Sequence, residues 1–120
     1  MDKRTTTNLL RFYANIDKEI RFKYELYGNT PRADAAAQTL KQLRADIASA
    51  LDSMPYVKKD TLYQHYIKGV GWDKIRRRHW YSNRQIRNIA NSALQELAVL
   101  LDSCKTVQDY LASTGHSLTS

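Results

Sequence analysis

Asn83, Arg84, Gln85, Arg87, Asn88 and Asn91 fall in one short stretch of the 120-residue chain. These side-chain types can read the edges of base pairs. An arginine can fork onto guanine O6 and N7, and asparagine or glutamine can pair with adenine N6 and N7. No Asp or Glu occurs from Trp80 to Gln95. An ordinary solvated helix face mixes both signs, and that is the competing explanation. Just upstream stand Lys74, Arg76, Arg77 and Arg78. They suit phosphate contacts, although an arginine run in a last helical turn also complements the free carbonyls there.

Two elements must position these groups. Ser82 can accept from the free N–H groups of a first helical turn. After it, Ile86, Ile89, Ala93 and Leu97 recur at steps of three and four, with Ala90, Leu94 and Leu101 widening the stripe. That spacing predicts a helix with one buried face. The six polar residues then look outward. Gly69-Val70-Gly71 breaks the chain before it. A short helix follows, with Trp72 and Ile75 inward and Asp73 in its first turn. A short helix, a tight turn and a longer basic helix predict a helix-turn-helix. In such a unit the second helix enters the major groove while the first crosses the backbone.

The stretch SNRQIRNIANSALQEL resembles the recognition helix of bacterial sigma-factor region four. Ser82, Ile86, Arg87, Ile89, Ala93, Leu94 and Leu97 occupy that family's pattern. The upstream LYQHYIKGVGWDKI is similar to the helix, glycine turn and helix start that precede it. Small phage regulators of the RinA and ArpU type share the module, behind a long helical N-terminal part. The resemblance covers Thr61–Leu101. It implies that Asn83, Arg84, Gln85, Arg87 and Asn88 face bases or phosphates, and it leaves RNA polymerase open as a partner. The chain has no room for a sigma factor's promoter-melting regions, which favours a DNA-bound regulator. Trp80 and Tyr81 make the turn bulkier than the family's usual small residues.

The remaining chain reads as helical support. Thr7–Tyr27 carries a stripe of Leu9, Phe12, Tyr13, Ile16, Ile20, Tyr24 and Tyr27. The four aromatic residues of this stripe are expected in the core. Gly28-Asn29-Thr30-Pro31 ends the helix. Asp34–Ser53 follows, with Ala36, Leu40, Leu43, Ile47, Ala50 and Leu51 inward. The short connection predicts an antiparallel hairpin. Its alanines allow close packing, either in a homodimer or against the chain's own C-terminal part. Pro55 marks a boundary. Lys59–Lys68 is a third helix, with Leu62, Tyr63, Tyr66 and Ile67 inward and Asp60 near its start. Thr106–Ala112 is a further short helix, and 113–120 is expected to fray. The expected fold is therefore all-α, with a helical hairpin over 1–54, a three-helix helix-turn-helix domain over 55–103, and a short helix and tail over 104–120.

The net charge of +7 is unevenly placed. Met1–Met54 holds nine Lys/Arg against seven Asp/Glu, Pro55–Leu101 nine against three, and Asp102–Ser120 one against two. A basic segment attracts nucleic acid through counterion release. No apolar run is long enough for a membrane span, and no secretory signal is visible. One cysteine, Cys104, excludes an internal disulfide. A cytoplasmic protein of a bacterial host fits these features. His65, His79 and His116 do not converge on a metal, so neither metal nor cofactor is expected. His79 suits a helix end or a phosphate. No P-loop and no catalytic set is found, so no enzyme is expected. The expected function is sequence-specific binding of double-stranded DNA in transcription regulation, in a phage or prophage setting. Two alternatives stand beside it: a small-terminase-like DNA-packaging subunit, and a region-four-like module that binds polymerase without reading DNA.

Overall fold

Helix-capping chemistry sets the first two elements. A computed structural model of the chain describes residues 1–114. Helix α1 spans Lys3–Tyr27. It starts ahead of the expected Thr7 because Asp2 caps it: Asp2 Oδ1 accepts the Thr5 N–H at 2.7 Å. The Thr6 hydroxyl donates to the Asp2 carbonyl at 2.8 Å, and Thr6 is buried. Three successive threonines are poor helix formers, and here the cap and burial override them. The bond from the Thr5 backbone holds the Asp2 carboxyl below its ordinary value.

Gly28 turns the chain with a left-handed φ of 68°, where a side chain would be strained. Helix α2 spans Pro31–Asp52. Thr30 is its N-cap, and Thr30 Oγ1 accepts the Ala33 N–H at 3.3 Å. Pro31 thus opens α2 as well as closing off α1, since its fixed φ suits a first helical position. Ala33 and Ala37 are fully buried where the hairpin closes.

Helix α3 spans Tyr56–Leu62 and continues as a π-helical segment, Tyr63–Ile67. The expected start at Lys59 is too late, because Pro55 already precedes the first turn. Tyr63, expected inward, is exposed, while Asp60 and Thr61 are buried. The π segment is closed by Lys68 N–H to Tyr63 O at 3.0 Å and followed by Val70 N–H to Gln64 O at 2.8 Å. It presents His65, whose ring stacks on Trp72 at 3.7 Å between centroids.

Helices α4 (Trp72–His79), α5 (Asn83–Asp102) and α6 (Lys105–Thr114) complete the order. Every regular element among the described residues is helical. Helix α6 runs past the expected Ala112 and takes in Ser113. The rest of the expected tail, with His116, lies outside the described residues.

One apolar core joins the two halves. Leu9, Leu10 and Ile16 of α1 and Leu43 and Ile47 of α2 share it with Leu62 of α3, Leu94, Leu97 and Leu101 of α5, and Val107 of α6. The hairpin therefore packs on α5 and α6. Of the α1 aromatics, Phe12, Tyr13, Tyr24 and Tyr27 are only half-buried. Phe12 meets Tyr110 at 5.4 Å, and the Tyr24 hydroxyl donates to Asp34 at 2.7 Å. No described helix is long and apolar enough to cross a membrane.

Candidate nucleic-acid interface

Helix α4 is anchored by Ile75, which is fully buried, and by Trp72 on His65. It ends in a two-bond closure. The Tyr81 N–H donates to Arg76 O at 2.9 Å and the Trp80 N–H to Arg77 O at 3.4 Å. This is the Schellman pattern, which needs a left-handed residue and usually takes glycine. Trp80 supplies it with φ 61° and ψ 36°. A left-handed conformation in a residue with a Cβ costs roughly 1–2 kcal/mol. The chain then turns directly into Ser82, the N-cap of α5.

Ser82 and Gln85 form a reciprocal cap. The Gln85 N–H donates to Ser82 Oγ at 3.1 Å, and the Ser82 N–H donates to Gln85 Oε1 at 2.9 Å. Two free donors of the first turn are satisfied in this way. Gln85 therefore spends its carbonyl oxygen on the helix start, so a two-bond contact with adenine is closed to it while the cap stands.

The buried stripe of α5 runs through Ile86, Ala90, Ala93, Leu94, Leu97, Ala98 and Leu101. Ile89 sits at its margin, half-buried. Asn83, Arg84, Arg87, Asn88 and Asn91 are all exposed, and so is Gln85. They share the first half of α5, on the side away from the core. Neither Arg84 nor Arg87 has an ion-pair partner among the described residues. Glu96, the one acid between Asp73 and Asp102, is paired with Lys58 Nζ at 2.8 Å. The exposed side of the first half of α5 thus carries only cationic and hydrogen-bonding side chains.

The four upstream cations are less alike than their spacing implies. Arg76 and Arg77 both pair with Asp73, at 2.8 and 3.0 Å. Arg78 Nε donates to Asp60 Oδ2 at 3.0 Å. The Tyr56 hydroxyl and then the Asp60 charge push the Arg78 guanidinium above its ordinary value, so it stays a cation. Only Lys74 of the four is exposed without an ion pair among the described residues. His79 stands at the end of α4, one of the two places expected for it, and is turned away from solvent. Its side chain is 8% exposed, and Nε2 lies 2.7 Å from Asp60 Oδ2.

Asp60 serves a role that its place in the sequence does not show. It was expected near a helix start. Instead its carboxylate, one turn into α3, receives Arg78 and His79 on one oxygen and Gln64 Nε2 at 3.4 Å on the other. No local signal reveals this, because the partners lie 18 and 19 residues away. The cluster ties the end of α4 to α3. Asp60→Ala is expected to strand His79 and destabilise the fold by about 1–3 kcal/mol. A urea midpoint unchanged from the parent protein would show that the cluster does not hold α4.

Comparison with protein-family models, curated proteins and solved structures gives no match.

Proposed function

We propose that α4 and α5 act as a helix-turn-helix and that the chain is a sequence-specific DNA-binding regulator of transcription. Helix α5 docks its first half in the major groove. Arg84 and Arg87 suit guanine, and Asn83, Asn88 and Asn91 suit adenine. Lys74 is the leading phosphate contact, since Arg76, Arg77 and Arg78 must first share or leave their carboxylate partners. The phage setting and the polymerase partner rest on the resemblance to sigma-factor region four and to the small phage regulators.

One observation supports this function above others: the exposed half of α5 offers two unpaired arginines and three asparagines with no uncompensated acid. A merely solvated face needs no such composition. The test is selection of bound fragments from a random duplex pool at moderate salt, with purified protein. Recovery of one enriched motif is the expected result. Binding without any enriched motif would reduce the surface to electrostatic attraction and refute sequence reading.

A further inference from the structure

Trp80 joins two features that folding alone does not favour. Its backbone is left-handed, with φ 61°, and it is 93% exposed. A glycine here would keep both hydrogen bonds that close α4 and would carry no strain. An indole left in solvent returns almost nothing through burial. Stability therefore gives no reason for tryptophan at this turn. Backbone strain of this kind gathers where a residue serves a ligand contact.

The surroundings indicate which ligand. Trp80 follows the end of α4 and lies next to the Tyr81-Ser82 lead into α5. Trp80 is the most exposed of the large apolar side chains among the described residues, and Tyr56, also exposed, reaches Arg78 through its hydroxyl at 3.5 Å. The neighbours are Arg77, Arg78, Asn83 and Arg84, all exposed. Protein interfaces also draw on Trp, Tyr and Arg, and the test below separates that outcome. An indole set among exposed arginines and asparagines suits a polyanion with a small apolar feature. In the major groove that feature is the thymine C5-methyl group, since the other edge atoms are hydrogen-bond donors and acceptors.

We propose that Trp80 is an apolar DNA contact of this surface, lying at the rim of the major groove against a thymine methyl and its deoxyribose. This rests on the DNA reading proposed above for α5. It adds recognition of one thymine beside the steps that α5 reads. Because the contact displaces no counterion, its loss leaves the salt dependence unchanged.

The test uses the full chain and the duplex selected by the parent protein. Trp80→Gly and Trp80→Asn both tolerate the left-handed backbone, so each variant is expected to fold, with Tm raised by roughly 4 °C. Each is expected to bind about tenfold more weakly, with an unchanged slope of affinity against salt. Replacing thymine by deoxyuridine, which removes only the methyl group, is expected to weaken the parent protein at one flanking position and leave both variants indifferent there. The proposal is overturned if both variants bind like the parent, if the salt slope falls, or if no flanking thymine is sensitive. In the first case, with Arg87→Ala still weakened, α5 reads DNA and the exposed indole belongs to a protein contact. If the parent enriches no motif at all, the DNA reading fails and takes this proposal with it.

Discussion

Ile86→Asp is expected to abolish the cooperative unfolding transition. Ile86 is fully buried in the second turn of α5, on the face that meets the core. A carboxylate there must stay charged in an apolar site, bind a proton, or force the helix outward. Burying an unpaired charge belongs to the small class of substitutions that exceed about 4 kcal/mol. That is a large share of the roughly 5–15 kcal/mol that holds a typical domain. Asn88→Asp, two positions further along and exposed, is the control. It introduces the same charge and is expected to melt like the parent, while repelling DNA. Thermal melts followed by circular dichroism distinguish the two. A normal melt for Ile86→Asp would mean that the buried face of α5 is misassigned.

Arg87→Ala is expected to weaken binding to the selected duplex tenfold to a hundredfold, or about 1–3 kcal/mol, if its guanidinium forks onto one guanine. The loss should be confined to duplexes that carry that guanine. Lys74→Ala is expected to behave differently. It should weaken every sequence alike and lower the slope of log affinity against log salt by about 0.9. Fluorescence anisotropy titrations at several salt concentrations read both quantities. Arg87→Ala binding as tightly as the parent would remove α5 from the groove. Arg77 is a weaker probe of phosphate contact, because Asp73 already engages it at 3.0 Å.

What could be read from the chain follows the range of the forces involved. The buried stripe of α5 repeats through seven positions, and so strong a period leaves little room for another element. Ser82 as cap was readable because its partner Gln85 is three residues away. The starts of α1 and α2 were placed late. Asp2 and Thr30 decide them, and each is a single side chain ahead of residues that look unlike helix. The π-helical bonds of Tyr63–Ile67 leave no periodic trace at all, so Tyr63 was expected inward and lies outward. The polar face of α5 was found by residue type. The fates of Arg76, Arg77, Arg78 and His79 were not, because Asp73 and Asp60 claim them through geometry that a run of basic letters does not encode. Trp80 stood out as bulky, yet only the fold shows that it occupies the left-handed position.

The shared core has a consequence for timing. Leu9 and Leu10 are covered in part by residues of α5, which leave the ribosome well after the hairpin. The hairpin can form early, but its apolar face stays open until Leu94, Leu97 and Leu101 arrive. A nascent chain stopped after α4 therefore holds the Arg76–Arg78 cations without the helix that would aim them. On the proposed reading of α5, competence to bind DNA is gained only when α5 closes the core and faces outward in the same step.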